Sequence, residues 1–337
     1  MDWSSIFDNT VQGFVGINAV YFAIAAIGLN VQFGYTGLLN FGQAAFMAAG
    51  AYGLGMTTHY YDISFWWGIP IGITYAVILG LIMGIPTLRL RADYLAIVTI
   101  AAAEILRLVV RSVKFKTLFG GSDGINEFSA EFRDLGTRVG FKPANEYGFG
   151  PLTFTGRQSW TMVIGWTLVA FFGTMVWLLM KSPWGRVLKA IREDEDAVRS
   201  LGKNVYSYKM QSLILGGVIG TFAGMVFALD RGSVQPDNYS RDLTFYVLTA
   251  LVLGGVAKIS GSIVGPMLFW ALFSFTDTFL REATRNGPLR IGDFTLVQST
   301  QVGQINFMLI GLGLILLMVF RPQGLFGSRK EMAFDGR

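Results

Sequence analysis

The sequence predicts an all-α protein that crosses a membrane about nine times, and three observations lead to this fold class. Of the 337 residues, 52% are hydrophobic and 15% are charged, whereas soluble proteins carry about 25% charged residues. The mean hydropathy is +0.49. The apolar residues are grouped in blocks, several of which are about 20 residues long, the length of helix that spans a hydrocarbon core of about 30 Å. We therefore expect one polytopic transmembrane domain over residues 1–337.

Six apolar blocks are long enough for one crossing each: residues 11–30, 65–85, 92–112, 160–180, 210–229 and 304–320. Two further blocks are less regular. Residues 33–58 are rich in glycine, and residues 244–280 would be about 55 Å long as one helix, too long for one crossing. The second block is predicted to form a hairpin with Lys258 at its inner tip. Nine crossings result, within a range of about eight to ten because either block could be re-entrant.

The charges between the blocks predict the orientation. Residues 181–209 carry seven Lys and Arg residues, and the tail 321–337 carries Arg321, Arg329, Lys330 and Arg337. Because cytoplasmic loops are enriched in Lys and Arg, both segments are placed in the cytoplasm. Counting crossings then places residues 113–159, residues 230–243 and the N-terminus outside. The N-terminus also lacks the basic start of a cleavable signal peptide, so the first block is expected to be retained.

Composition and motifs exclude several functional classes. The chain has no cysteine and one histidine, His59, so a metal centre or a cluster of catalytic groups is not expected. The Gly202-Lys203 pair is followed by asparagine, so the chain lacks a phosphate-binding G-x-x-x-x-G-K-[ST] loop. We therefore expect no cofactor on this chain and ATP hydrolysis by another polypeptide. Scattered basic residues do not indicate nucleic-acid binding. An intramembrane enzyme and a self-contained channel remain remote alternatives.

Two glycine-rich segments are candidates for a transport pathway, because broken helices at membrane depth line such pathways. The first, GYTGLLNFGQAAF, starts at Gly34, and its candidate residues are Tyr35, Thr36, Asn40 and Gln43. The second, LGGVAKISGSIVGP at 253–266, contributes Gly254 and Gly255. The alternative for both is a tight turn between helices.

Glu104 is a further pathway candidate because it lies near the middle of block 92–112, where a carboxylate is costly unless it is paired or hydrated. The alternative is an ion pair with Arg107 that fixes helix packing. Glycines at four-residue spacing, such as Gly216, Gly220 and Gly224, predict close contacts between helices.

Residues 182–209 form an amphipathic segment between two spans. Apolar residues recur about every 3.5 positions and Gly202 follows as a helix stop; these residues are Trp184, Val187, Leu188, Ile191, Val198 and Leu201. The four acidic residues 193–196 would be repelled by an anionic membrane surface. The segment therefore predicts a helix that docks into a groove of a soluble partner rather than one that lies on lipid.

The stretch GRVLKAIREDEDAVRSLGKN resembles the cytoplasmic coupling loop of permease subunits in branched-chain amino acid ABC importers of the LivM type. Other stretches match the same family pattern in the same order: GLNVQFGYTGLLNFGQAAFMAAGAYG (28–53), LRLRADYLAIVTIAAAEILRLV (88–109), GGSDG (120–124), QPDNY (235–239) and RPQGLFG (321–327). The family also includes LivH-type and ribose permeases with ten spans, of which this chain is expected to lack the first.

The resemblance implies a permease subunit, in a bacterial inner membrane, of an ATP-driven importer for leucine, isoleucine and valine. It implies alternating access with a second permease of the LivH type, two ATP-binding subunits of the LivG and LivF type that use ATP and magnesium, and an extracytoplasmic substrate-binding protein. The binding protein is expected to dock on loop 113–159. Urea or short-chain amides are the alternative substrates. The implied coupling residues are Trp184, Gly185, Arg186, Ala190, Ile191, Arg192, Glu193, Asp194 and Gly202.

Overall fold

The computed structural model describes residues 2–61, 63–88, 92–285, 289–291, 294–321 and 323–327. Its α-helices are α1 (Trp3–Val15), α2 (Ile17–Leu29), α3 (Gln43–His59), α4 (Phe65–Thr87), α5 (Ala92–Arg111), α6 (Lys116–Phe119), α7 (Ala130–Val139), α8 (Gly156–Lys181), α9 (Pro183–Glu193), α10 (Glu195–Ser200), α11 (Val205–Arg231), α12 (Arg241–Gly254), α13 (Ile259–Thr284) and α14 (Val302–Phe320). The tail residues Arg329, Lys330 and Arg337 lie outside the described residues.

Short antiparallel strand pairs accompany the helices. Strand β1 (Ile125–Asn126) pairs with β4 (Ser233–Val234), β2 (Glu146–Phe149) pairs with β3 (Leu152–Thr155), and β5 (Leu289–Ile291) pairs with β6 (Phe294–Val297). All of them lie in connections between long helices. The predicted all-α membrane architecture is therefore confirmed.

Within the described ranges, five helical segments are long and apolar enough to cross a membrane: Trp3–Tyr35, Phe65–Thr87, Gly156–Lys181, Val205–Arg231 and Ile259–Thr284. Of the other apolar helices, α3 and α12 are shorter, with 17 and 14 residues, and α5 carries charges. Helix α14 is 19 residues long and uncharged. Nine crossings, with the N-terminus outside and the C-terminus in the cytoplasm, remain a prediction.

Helices α2 and α11 form the centre of the bundle. Residues 19–29 of α2 and its C-terminal cap, Asn30, are buried. Helix α11 packs against α2, α3 and α4. A Cβ atom on Gly216 would meet the carbonyl oxygen of Gly28, and one on Gly224 would meet that of Met47. The packing role predicted for these glycines is confirmed, because their missing side chains let the helix backbones touch.

The first predicted span, 11–30, is part of a longer and interrupted helix. Gly16 has an extended conformation between α1 and α2, and α2 continues into a π-helical turn, Asn30–Tyr35. Residues 37–42 are then non-helical before α3 begins. Consequently, the glycine-rich block 33–58 is α-helical only from Gln43 onward, because its first part breaks the helix.

The block 244–280 is a helical hairpin, as predicted. Helices α12 and α13 pack along each other, and Lys258 is the residue before α13. The first arm has only 14 residues, which is about 21 Å of helix. This arm is therefore shorter than a hydrocarbon core of about 30 Å.

The 27 residues of α11 separate two ends of the bundle by about 40 Å. At its N-terminal end, Lys209 contacts Glu195 of α10. At its C-terminal end, β4 pairs with β1 of segment 113–159. The amphipathic segment and the long loop thus lie at opposite ends.

Candidate functional site

The predicted coupling helix is two helices, α9 and α10. Helix α9 begins after Ser182, whose hydroxyl accepts a hydrogen bond from the backbone of Gly185, and Pro183 occupies its first position, where no N–H is needed. It ends at Asp194, whose extended backbone breaks the helix. The Asp194 carboxylate accepts a 2.9 Å hydrogen bond from the Ala197 N–H and thereby caps α10.

The apolar stripe of this segment faces the protein's own bundle. Leu188, Ile191 and Val198 are at most 4% exposed, so these three residues pack on the bundle and are not available to a partner. Docking of the segment into a groove of a soluble partner remains a prediction. Leu201 is the exception, with 79% of its surface exposed. The surface left for a partner is mainly polar, and we call it the coupling face: Arg186, Lys189, Ala190, Glu193, Asp194, Leu201 and Gly202.

The remaining predicted coupling residues position α9 on the bundle. The indole N–H of Trp184 donates a 2.8 Å hydrogen bond to Oε1 of Gln211 in α11. Gly185 packs against the last turn of α8, where a Cβ would meet the Met180 backbone at 2.5 Å. Ile191 is buried, and Nη1 of Arg192 donates a 2.6 Å hydrogen bond to the carbonyl oxygen of Gly34. Helix α9 is thus tied directly to the π-helical turn.

The π-helical turn also contacts the second glycine-rich segment. Asn30 donates from Nδ2 to the Lys258 carbonyl oxygen (3.1 Å) and to Oγ of Ser262 (2.8 Å). Its Oδ1 accepts a 2.9 Å hydrogen bond from the Ala257 N–H. The two helix breaks that the sequence singled out are therefore adjacent, and α9 touches the first of them.

Three predicted pathway residues, Thr36, Asn40 and Gln43, are at most 2% exposed. Thr36 shares a 2.7 Å hydrogen bond with Ser212, and Asn40 donates a 2.8 Å bond to Gln32. Thr36 and Gln43 also donate to the backbone carbonyl oxygens of Val31 and Gly216, as irregular backbone in a membrane requires. A pathway role for the three residues remains a prediction. The sequence reading overlooked their partners Gln32 and Ser212, although both are polar residues at the edges of apolar blocks.

Tyr35 differs from these residues because it lines a groove of about 640 Å³ between α8 and α13. Its ring lies 5.7 Å from the Lys189 Nζ.

Gly254 and Gly255 form the turn between α12 and α13. A Cβ on Gly254 would meet the Gly261 carbonyl, and Gly255 has a φ of +116°, a backbone conformation that favours glycine. The end of the RPQGLFG motif docks here, since the N–H groups of Leu325 and Phe326 donate 3.0 and 2.9 Å hydrogen bonds to the carbonyls of Leu253 and Gly254. These bonds satisfy helix-terminal carbonyls that α12 leaves unpaired.

The ion pair between Glu104 and Arg107 is present, with Nη2 of Arg107 2.6 Å from Oε1 of Glu104. Asp237, which the sequence reading did not assign, extends it: its Oδ1 lies 2.6 Å from Nη1 of Arg107 and 3.1 Å from Nη1 of Arg111. Asp237 belongs to the QPDNY motif, so the network ties α5 to the segment after α11. A pathway role for Glu104 remains a prediction.

The GGSDG motif forms a compact turn in segment 113–159. Gly120, Gly121 and Gly124 all have φ between +62° and +77°, which explains the glycines at these positions. A Cβ on Gly124 would also meet the Val234 carbonyl oxygen. The Lys116 ammonium, 2.7 Å from Asp123, holds the pKa of that carboxyl below its ordinary value. This turn therefore presents a fixed anionic group at the end opposite α9.

The family model described as the permease component of the branched-chain amino acid transport system matches residues 14–320. The chain belongs to this permease family. The permease is 31% identical to the high-affinity branched-chain amino acid transport system permease protein LivM of Escherichia coli (strain K12), over 90% of this chain and 67% of that protein. It is 24% identical to the probable branched-chain amino acid transport permease protein LivM of Methanocaldococcus jannaschii, over 91% of this chain and 90% of that protein.

A shorter similarity relates the permease to another import system. It is 32% identical to the autoinducer 2 import system permease protein LsrC of Photorhabdus laumondii, over 31% of this chain and 32% of that protein. The LivM relatives match along nine tenths of the permease, whereas this similarity concerns about a third of it. The permease is thus an integral membrane transport subunit of the LivM type.

Proposed function

We propose that the permease forms, by alternating access with a second permease of the LivH type, the pathway of an ATP-driven importer for leucine, isoleucine and valine. The substrate class is inferred from the LivM relatives, which match it along nine tenths of its length. We further propose a bacterial inner membrane, two ATP-binding subunits that use ATP and magnesium, and an extracytoplasmic binding protein that docks on loop 113–159.

The observation that carries the mechanism is the hydrogen bond from Arg192 to the Gly34 carbonyl. An ATP-binding subunit that moves the coupling face would pull on the π-helical turn through this bond. Helical segments are stiff, whereas a break has backbone groups held by side chains that can exchange partners. Motion of α9 therefore displaces the backbone of the π-helical turn and does not bend α9 itself.

The second step runs through Asn30. Its side chain bonds the backbone of Ala257 and Lys258, so displacement of the π-helical turn moves the α12–α13 turn with it. Both breaks shift together, and α2, α12 and α13 change their tilt. The pathway would then alternate between outward and inward access.

Uptake assays test the substrate class. Cells with and without the gene are given radiolabelled leucine and, separately, radiolabelled urea. Loss of leucine uptake alone, restored by the gene, is the expected result. Loss of urea uptake alone would contradict the substrate and retain the architecture. Leucine uptake that continues in membranes stripped of ATP would contradict the ATP-driven mechanism.

A further inference from the structure

The groove of about 640 Å³ between α8 and α13 opens on the outside of the bundle. Its α8 wall belongs to a peripheral helix whose outward face is apolar and exposed, with Phe171 at 59%, Trp177 at 48% and Leu178 at 56%. An exposed apolar face on a membrane-spanning helix is suited to contact with lipid. The groove is therefore a lipid-facing feature rather than an aqueous pocket.

The upper part of the groove is apolar and has the dimensions of one leaflet. Its walls are Val169, Ala170 and Gly173 of α8 and Ile259 and Ile263 of α13. From Val169 to Lys181, α8 rises about 18 Å, and one leaflet contributes about half of a 30 Å hydrocarbon core. Gly173 adds no side chain to this space, and a Cβ there would be in van der Waals contact with the side chains of Ile263 (3.5 Å) and Ile259 (3.7 Å). The groove can therefore hold an acyl chain.

The end of the groove nearest α9 is cationic. Lys258 lines it, Lys181 Nζ lies 3.4 Å from the centroid of the lining Trp177 ring, and Lys189 Nζ lies near Tyr35. Within the described residues, none of the salt bridges involves Lys181, Lys189 or Lys258. Three lysines at one end of an apolar groove complement a phosphate group.

We propose that this groove binds one anionic phospholipid, with an acyl chain between α8 and α13 and its phosphate group on Lys258 and Lys181. Trp177 and Tyr35 lie at the depth of the headgroups, where amphipathic aromatic rings are favoured. Lipid at this position contacts and stabilises both helix breaks, since Tyr35 ends the π-helical turn and Lys258 lies in the α12–α13 turn. The consequence for transport rests on the proposed function, whereas the binding itself does not.

Binding is tested on the assembled, detergent-solubilised importer by native mass spectrometry with added dioleoylphosphatidylglycerol or dioleoylphosphatidylcholine. The anionic lipid is expected to bind more tightly. Lys258→Gln and Lys181→Gln should each weaken it about fivefold, the effect of one basic residue near anionic lipid. Lys258→Arg should retain binding. Lys142→Gln, which removes an exposed lysine at the other end of the bundle, should leave it unchanged.

A steric pair of variants tests the acyl-chain site without altering charge. Ala170→Phe fills the groove from its exposed wall and should abolish retention of the lipid. Thr167→Phe places the same ring on an exposed position outside the lining and should not. Size-exclusion chromatography checks that both variants assemble.

Three results would overturn the proposal. The first is equal binding of the two lipids, and the second is full retention of lipid by Ala170→Phe. The third is loss of the second permease from the Ala170→Phe complex, which would show that a protein covers the groove. Lipid binding is measured independently of leucine uptake, so failure of the lipid-binding proposal is distinguishable from failure of the proposed function.

Discussion

Nη1 of Arg192 lies 2.6 Å from the carbonyl oxygen of Gly34, although the two residues are 158 positions apart in the chain. Arg192 is in the last turn of α9, and Gly34 is in the π-helical turn that follows α2. The bond is charge-assisted, which makes it stronger than a bond between neutral groups. It gives the coupling face a direct mechanical connection to the first helix break.

Replacing Arg192 with alanine should therefore uncouple the importer. We expect leucine uptake to fall by about tenfold, the equivalent of losing one charge-assisted hydrogen bond of about 1.5 kcal/mol, while the complex still hydrolyses ATP. Uptake and ATPase activity of the same proteoliposomes provide the measurement. Arg285→Ala is the control, because Arg285 is exposed, pairs with Glu282 and follows the end of α13 that is distant from the π-helical turn. A parallel loss of ATPase activity and uptake would contradict this role.

Gly202 should be required for its backbone conformation rather than for space. Its φ is +75° and nothing lies within 4 Å of the Cβ it lacks. Asparagine tolerates this region, whereas valine is strained there by about 1–2 kcal/mol. Gly202→Asn should thus transport leucine nearly as well as the wild type, and Gly202→Val should be impaired. Equal impairment of both variants would indicate that the partner contacts Gly202 itself.

Asn30 should contribute strongly to stability, because its amide joins the two helix breaks and is 1% exposed. Asn30→Ala leaves the Ala257 N–H without its partner, at a cost of about 1–3 kcal/mol for a buried polar group. The apparent melting temperature in detergent should fall accordingly. Asn9→Ala, at an exposed position on α1, should not lower it. Unchanged stability of Asn30→Ala would mean that water replaces the amide.

Sequence reasoning located both helix breaks and the Glu104–Arg107 pair because each leaves a local signal. Glycine-rich runs interrupt helices, and a Glu followed three residues later by an Arg on one helix face forms a pair. No local sequence signal indicated that the apolar stripe on α9 faces the protein's own bundle. An amphipathic period shows that one face is buried, but it does not show whether the bundle or a partner buries it.

Local sequence patterns also could not predict the π-helical turn or the roles of Gln32, Ser212 and Asp237. These residues act through partners far along the chain: Gln32 bonds Leu213, and Asp237 bonds Arg107. The sequence shows that such polar groups in or near a membrane need partners. The packing of α2 against α11 determines the partners of Gln32 and Ser212, and the packing of α5 against residues 236–239 determines the partner of Asp237.

The glycine contacts between α3 and α11 should be intolerant of a single methyl group. A Cβ on Gly224 would overlap the Met47 carbonyl, whereas nothing lies within 4 Å of the corresponding position at Gly313. Gly224→Ala should therefore destabilise the permease by about 1–3 kcal/mol through overpacking, and Gly313→Ala should be nearly neutral. Thermal unfolding in detergent, followed by tryptophan fluorescence, compares the two. Equal melting temperatures would show that α3 and α11 separate without cost.

A structural role and a transport role of Glu104 predict different effects of substitutions in the network around Arg107 on stability and on leucine uptake. If Glu104 serves only as the partner of Arg107, then Glu104→Gln replaces a carboxylate partner of the partly buried guanidinium with a neutral amide. The Asp237 carboxylate remains, and the free energy of unfolding should fall by about 1 kcal/mol. Arg107→Gln should have a similar effect. In the double variant the two losses should not add, because the same interaction is removed twice. Leucine uptake by Glu104→Gln should stay within about twofold of the wild type once corrected for protein amount. Additive losses of stability, or abolished uptake with normal stability, would instead assign Glu104 to the transport pathway.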